Sequence, residues 1–166
     1  MDNIRLEILD AAEPGYGVDN DAFLFEVFAA NQIPVLQASG LARDELQELL
    51  SVQFRARQAQ YHARYPDAEW AIVSRAGRRI GYRCVARNVD AIILVDVALL
   101  PEYQGRGIGT RLLQPLLDEA DAARLPVSAH VEEANPARRL YARLGFETVA
   151  SDGAHLAIRR EPARHD

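Results

Sequence analysis

The first third of the chain shows one alternating apolar pattern followed by helical ones. Alternation from Ile4 to Leu9 predicts a strand. Apolar residues three and four positions apart then predict a helix that starts after Asp19 or Asn20 and ends at or before Pro34. The turn between strand and helix holds three residues that interrupt regular structure: Pro14, Gly15 and Gly17.

A second, longer helix is predicted from about residue 41 to residue 64. Its apolar residues fall on one stripe, and Arg55, Arg57 and Arg64 are placed mostly off that stripe. Pro66 follows the end of this helix, because the residue before a proline is pushed out of the helical region. The stripe consists of Leu46, Leu49, Leu50, Phe54 and Tyr61.

The middle of the chain is dominated by strand patterns. Gly77 lies at the turn between the first two of three predicted strands. The third strand is apolar on both faces except at Asp96, which predicts an interior strand. A helix is predicted from about Gly107 to Ala123, although Pro115 falls inside it, where proline costs about 3 kcal/mol. The three strands are "EWAIVSR", "RIGYRCVAR" and "AIILVDVALL".

The end of the chain returns to short elements. A short helix is predicted between Asn135 and Gly145. The order of elements predicts a mixed α/β (α+β) fold, in which helices cover both faces of a strongly twisted sheet. With 166 residues and no internal repeat, residues 1–166 are interpreted as a single domain. The closing strands are "PVSAHV", "FETVAS" and "AHLAIRR".

All 19 basic residues are arginine, and the sequence contains no lysine. This excludes a lysine Schiff base and a Walker-type phosphate loop, since both need the lysine amine. The net charge of −5 argues against a nucleic-acid partner, and no apolar stretch approaches the roughly 20 residues of a membrane span. We therefore expect a cytoplasmic protein without nucleic-acid or membrane partners. The single cysteine, Cys84, is interpreted as a small buried side chain.

Three glycines at alternate positions, Gly105, Gly107 and Gly109, lie between the third strand and the following helix. A helix N-terminus offers unpaired amides, and glycine lets an anion approach the backbone, so this arrangement favours a phosphate-binding turn. The alternative is a turn that needs glycine only for its positive φ. A dinucleotide fingerprint is excluded, because Thr110 stands where its last glycine is required.

The glycine turn and a second motif resemble the GNAT superfamily of N-acetyltransferases. Gln104, Gly107 and Gly109 fit its Gln/Arg-x-x-Gly-x-Gly/Ala pattern, and "NPARRLYARLGF" is similar to its second signature. The specific part of the resemblance runs from about Asp96 to Val149. It implies a twisted, mixed but mostly antiparallel sheet of about six or seven strands, and acetyl-coenzyme A as the co-substrate without a metal.

The resemblance also implies a donor site. Loop amides hold the pyrophosphate, the preceding strand pairs with the pantetheine arm, Asn135 contacts that arm from the other side, and Tyr141 lies near the thioester sulfur. The strands that carry Asp96 and His130 are expected to splay apart to admit the arm. The loop residues are Gln104, Gly105, Arg106, Gly107, Ile108 and Gly109, and the strand residues are Val97, Ala98 and Leu99.

An alkyl amine must lose a proton before it attacks a thioester, and at pH 7 this costs about 4.6 kcal/mol. Tyr141 is interpreted as the acid that protonates the leaving thiolate, and Asp96 as the base. Asp96 also has a structural alternative, as an acid paired with an arginine of the neighbouring strand. His130, Glu132 or a water chain are the other candidates for the base.

We therefore expect an N-acetyltransferase that moves acetyl from acetyl-coenzyme A to a primary amine of a small molecule or peptide, by direct attack in a ternary complex. Two alternatives stay open. One is a non-catalytic module that binds acyl-coenzyme A, and the other is a transferase of a longer acyl group. A homodimer is the working expectation for the assembly, which the sequence does not define.

Overall fold

A computed structural model of the protein describes residues 3–11 and 15–164. Pro14, one of the predicted turn residues, lies outside these ranges. The described α-helices are α1 (Val18–Leu36), α2 (Arg43–Arg64), α3 (Ile108–Ala123) and α4 (Arg138–Arg143). The described strands are β1 (Ile4–Ile8), β2 (Glu69–Arg75), β3 (Arg78–Arg87), β4 (Ile92–Leu99), β5 (Val127–Glu132), β6 (Glu147–Ser151) and β7 (His155–Arg160).

The seven described strands form one sheet in the order β1-β2-β3-β4-β5-β7-β6. β4 and β5 run parallel, whereas the other neighbouring strands in the described sheet are antiparallel. The predicted mixed, mostly antiparallel sheet is therefore confirmed.

Helices cover both faces of the sheet, as predicted. On one face, α1 and α2 pack over Trp70 and Tyr82. On the other face, α3 and α4 pack over Leu94 and its neighbours. β4 contributes to both cores, because Leu94 faces α3 whereas Val95 and Ala98 face α1 and α2. This confirms β4 as an interior strand.

The start and end of α1 differ from the prediction. The helix begins at Val18, ahead of Asp19 and Asn20, and Gly17 takes the N-cap position. Glycine is tolerated there, so neither polar residue is needed as a cap. Pro34 lies inside the helix, which ends at Leu36. Because Pro34 lies in the last turn, its missing N–H removes a single helical hydrogen bond, and only two more helical residues follow it.

α3 continues through Pro115, as predicted. Its buried leucines keep their helical spacing on both sides of the proline. Full burial of one leucine side chain contributes about 1.5 to 3 kcal/mol, so the four together outweigh the proline cost of about 3 kcal/mol. The buried leucines are Leu112, Leu113, Leu116 and Leu117.

Two kinds of feature are absent from the part of the chain that the structure describes. None of its helices combines the length and the apolar character that a membrane span requires. Likewise, no group of three or more His, Cys, Asp or Glu side chains in residues 3–11 and 15–164 is arranged to hold a metal ion.

Candidate active site

β4 and β5 separate along their length. They pair over three positions, and the last pair joins Leu94 to Ala129. Beyond this point, Asp96 on β4 and His130 on β5 are not joined by the described sheet ladder. The predicted splay of these two strands is therefore confirmed, and it opens a gap in an otherwise continuous sheet.

A β-bulge at the start of this gap sets the direction of Asp96. Asp96 pairs with Cys84 on β3, but Leu94 pairs with the next residue, Val85, so Val95 is an extra residue in β4. An extra residue changes which side chains face each side of the sheet. As a result, Asp96 faces α1 and α2, on the same side as Cys84.

Asp96 is buried, with 9% of its side chain exposed, and both of its carboxylate oxygens have partners. Nη2 of Arg57 lies 3.0 Å from Oδ1, and the Tyr82 hydroxyl donates a hydrogen bond to Oδ2 at 2.8 Å. Burial raises the pKa of the Asp96 carboxyl, and Arg57 and Tyr82 oppose this rise. Asp96 is thus a buried acid whose ionised form is stabilised by these two partners.

Arg57 comes from α2 and not from the neighbouring strand. Its Nε donates to the Tyr61 hydroxyl at 2.7 Å, and its guanidinium lies over the rings of Phe28 and Tyr61, 5.5 and 5.4 Å from their centroids. Burial lowers the pKa of Arg57, but Asp96, Tyr82 and Tyr61 together outweigh burial and hold this pKa above its usual range. Arg57 follows Phe54 by three residues, so it belongs to the apolar stripe of α2, and the prediction that placed it off the stripe is wrong.

The glycine turn adopts a left-handed backbone at two positions. Gly105 has a φ of 71° and Gly107 a φ of 76°, and a Cβ at either would meet no atom within 4 Å. Glycine is therefore required at these two positions by the positive φ and not by a nearby atom. This agrees with the alternative interpretation, in which the turn needs glycine for its positive φ. Gly107 is the N-cap of α3 and no described side chain caps this helix, so its first amides point to the exposed loop.

The other loop residues have different roles. A Cβ at Gly109 would lie 2.8 Å from Cδ2 of Leu140, so this glycine allows α3 and α4 to approach each other. The side chain of Ile108 is buried in the core, which leaves only its backbone at the loop surface. Arg106 is exposed.

The side chain of Gln104 turns toward α1. Its Nε2 donates to Oδ1 of Asn31 at 2.7 Å and to the Leu99 carbonyl at 2.9 Å. Asn31 Nδ2 donates to the same carbonyl at 3.0 Å. A carbonyl oxygen has two lone pairs, so side chains occupy the Leu99 carbonyl fully. The side-chain amide nitrogen of Gln104 is therefore engaged by α1 and the end of β4.

A cavity of about 670 Å³ lies beside α4, against β5 and β7. Asn135 and Tyr141, both predicted to contact the donor, line it together with Arg138 and Arg139. Oδ1 of Asn135 accepts a hydrogen bond from the Ala137 amide at 2.9 Å, which fixes the turn into α4. Two residues predicted from one motif therefore meet at one cavity wall.

Tyr141 is held in place by packing. Its ring meets that of Phe146 edge to face at 5.6 Å between centroids, and 8% of the residue is exposed. Burial, and then the charge of Asp96, raise the pKa of Tyr141 above its ordinary value. The phenol is therefore protonated at neutral pH, and the two predicted catalytic residues interact electrostatically.

The remaining candidates also have clear positions. His130 and Glu132 are exposed and alternate along β5 with buried Val131, so they lie on the same side of the sheet as Asp96. Cys84 is fully buried, and burial raises the pKa of its thiol, which agrees with its interpretation as a small core side chain.

The comparison with protein families agrees with this geometry. The model of the acetyltransferase (GNAT) family matches residues 38–146, which include β4, the glycine turn, α3 and α4. The chain belongs to this family. The match covers more than half of the chain and contains the loop and the α4 motif whose positions are described above.

Two relatives and one solved structure illustrate this GNAT membership. The chain is 33% identical over 143 residues to the mycothiol acetyltransferase of Thermobifida fusca, covering 78% of this chain and 42% of that protein. It is 35% identical over 71 residues to the ribosomal protein bS18-alanine N-acetyltransferase of Haemophilus influenzae, covering 42% of this chain and 49% of that protein. The chain thus spans about half the length of these curated relatives.

The fold is also similar to that of the PaiA N-acetyltransferase of Thermoplasma acidophilum, solved in complex with coenzyme A. The TM-score is 0.67 at 15% identity, and the match covers 96% of this chain and 99% of the other. At this identity the similarity establishes the GNAT fold alone.

Two residues that contact predicted site residues were not among the sequence predictions. Arg57 carried a usable signal, since it lies four residues before Tyr61 on a helical stripe. Asn31 carried a weaker signal, as a polar residue three positions after the apolar Phe28 on the same side of the helix. In neither case did the sequence identify the partner.

Proposed function

We propose that the chain is an acetyl-coenzyme A-dependent N-acetyltransferase, which transfers acetyl to a primary amine by direct attack in a ternary complex. One observation carries the proposal. The uncapped N-terminus of α3 follows the end of β4 that no longer pairs with β5, and Ile108 at its start packs against Leu99 of that end. Tyr141 packs in the same core as Leu94, the last residue of β4 that pairs with β5.

The described residues fit the donor in three places. Backbone amides from Gln104 to Gly109 hold the pyrophosphate, where glycine turns and a helix N-terminus favour negative charge. The gap holds the pantetheine arm along β4, from Val97 through Ala98 to Leu99, and Asn135 contacts the arm from the opposite side. The donor supplies a thioester there, and the chain's own residues orient it.

Proton transfer is assigned to the two catalytic residues. Asp96 accepts a proton from the amine, directly or through water, because burial raises the pKa of its carboxyl while Arg57 stabilises the ionised form. Tyr141 donates a proton to the leaving thiolate, and its raised pKa keeps the phenol protonated until then. His130 and Glu132, on the same side of the sheet, are the next candidates for the base.

The acceptor is a primary amine of a small molecule or a peptide. The names of the relatives support both classes, because one is called a mycothiol acetyltransferase and the other a ribosomal protein bS18-alanine N-acetyltransferase. A coenzyme A release assay over amino acids, peptides, polyamines and aminoglycosides distinguishes them. Donor binding without transfer to any amine would instead favour a non-catalytic module, and faster transfer from longer thioesters would favour a different acyl group.

Donor binding is tested by thermal unfolding. At 100 times its Kd, acetyl-coenzyme A should stabilise the protein by about 2.7 kcal/mol, which for this chain length raises Tm by roughly 5 to 10 °C. Gly107→Asp should abolish this shift, because it places a charge and a strained φ at the phosphate site. Gly153→Asp is the matched control, since Gly153 also has a positive φ, of 90°, and open space around it. No shift for the wild-type protein, or equal shifts for both variants, would contradict the proposal.

A further inference from the structure

Asn31 joins three elements of the fold through its side-chain amide. Oδ1 accepts a hydrogen bond from Gln104 at 2.7 Å, and Nδ2 donates to the Leu99 carbonyl at 3.0 Å and to the Val27 carbonyl at 2.9 Å. Asn31 thus connects α1 to the end of β4 and to the glycine loop. Gln104 is exposed, so this link restrains a loop side chain that would otherwise move freely.

The same helix also reaches the ion pair at Asp96. Phe28 precedes Asn31 by three residues and therefore lies on the same side of α1. The guanidinium of Arg57 lies 5.5 Å from the centroid of the Phe28 ring, and Arg57 pairs with Asp96. A continuous set of contacts therefore runs from the glycine loop through α1 to the buried carboxylate.

We propose that Asn31 is a positioning residue that couples occupation of the glycine loop to the order of α1, and so to the placement of Arg57 beside Asp96. This rests on the proposed function, in which the donor phosphates bind the loop. Binding that fixes the backbone of Gln104 also fixes its side-chain amide, and through Asn31 it restrains α1. Such coupling is reciprocal, so an ordered α1 also favours donor binding.

Hydrogen exchange with coenzyme A as the probe tests this coupling. In the wild-type protein, coenzyme A should slow exchange in the last two turns of α1 about fivefold, at the low end of usual coupling factors, and also protect the first turn of α3. In Asn31→Ala, the protection of α3 should persist while the effect on α1 falls below about twofold. A purely structural role would change exchange in α1 equally with and without coenzyme A.

Asn20→Ala is the matched control, because Asn20 is on the same helix and bonds to the Tyr16 carbonyl instead of the loop. It should behave like the wild-type protein. Gln104→Met breaks the link from the loop side and leaves the bond from Asn31 to Leu99 in place, so it should reproduce the Asn31→Ala result even where Asn31→Ala folds poorly.

The outcomes separate the two proposals. If coenzyme A still protects α3 and still slows exchange in α1 as in the wild type in both Asn31→Ala and Gln104→Met, the proposed role of Asn31 is wrong, whereas the donor site is retained. Coenzyme A that protects neither helix in the wild-type protein overturns the proposed donor site, and the coupling with it.

Discussion

Replacing Arg57 with methionine removes the charge beside Asp96 and keeps an unbranched side chain over the rings of Phe28 and Tyr61. A neighbouring opposite charge lowers a carboxyl pKa by about 1 to 3 units, so its loss should raise the pKa of Asp96 by that amount. Each unit corresponds to 1.36 kcal/mol, which gives a cost of about 1.4 to 4 kcal/mol in the free energy of unfolding. With Arg57 32% exposed, we expect the lower half of this range.

The pH dependence follows from the raised pKa of Asp96 in the folded protein. Below the ordinary carboxyl pKa of 3.8, the folded and unfolded chains are both protonated, and loss of the Arg57 charge costs little. As the pH rises, the unfolded chain ionises first, and stability falls until the folded carboxyl also ionises. In folded Arg57→Met, the pKa of Asp96 is higher than in the folded wild-type protein. The loss in the free energy of unfolding caused by the substitution therefore grows with pH and then becomes constant.

Chemical unfolding of wild type, Arg57→Met, Asp96→Asn and the double variant across acidic to alkaline pH measures this effect. These four proteins form a double-mutant cycle. The coupling energy from the cycle excludes the packing cost of losing the guanidinium, because that cost is present with either Asp or Asn at position 96. We expect a coupling of about 1.4 to 2.7 kcal/mol in alkaline buffer, the lower half of that range, and this coupling should shrink as Asp96 is protonated. A coupling below about 0.5 kcal/mol, or one that does not change with pH, would refute the ion pair as the group that keeps Asp96 ionised.

Three further outcomes follow from described contacts. Tyr141→Phe should lower turnover by about 10²- to 10⁴-fold and leave the acetyl-coenzyme A thermal shift unchanged, and steady-state kinetics that match wild type would remove Tyr141 from the mechanism. Gly81→Ala should cost about 3 kcal/mol in urea unfolding, since its Cβ would lie 2.2 Å from the Ala98 carbonyl oxygen; a cost near zero would mean that β3 and β4 separate easily. Arg160→Met should cost about 3 kcal/mol in urea unfolding, because it removes the two hydrogen bonds of 2.8 and 3.0 Å from Arg160 to the partly buried Asp121, and a cost below about 0.5 kcal/mol would contradict a stabilising role for this ion pair.

Periodicity predicted those elements whose apolar residues are numerous. α3 was predicted through Pro115, because leucines repeat on both sides of the proline and their burial outweighs its cost. α1 was placed with less accuracy, because Gly17 caps the helix without a polar side chain and the helix continues for two residues past Pro34. Boundaries of this kind depend on one or two residues, which carry little periodic signal.

Candidate site residues could be proposed from the sequence where they lie on one continuous segment. The glycine turn and Tyr141 belong to motifs of a few residues, so their positions follow from the sequence. Asn31 reaches partners 68 and 73 residues away, at Leu99 and Gln104, and Arg57 meets Asp96 from another helix. A periodic pattern shows which face of a helix is apolar, but not which side chain of another element it will meet.

The short parallel pairing between β4 and β5 also bears on how the chain folds. β2, β3 and β4 are consecutive antiparallel strands, as are β6 and β7, so their contacts are local in sequence. Joining β4 to β5 requires the α3 crossover, and contacts between distant residues form slowly because loop closure precedes them. We expect this junction to form late, after the hairpins on either side of it. The opening proposed for the donor is then the place where two independently formed halves of the sheet meet over only three residues.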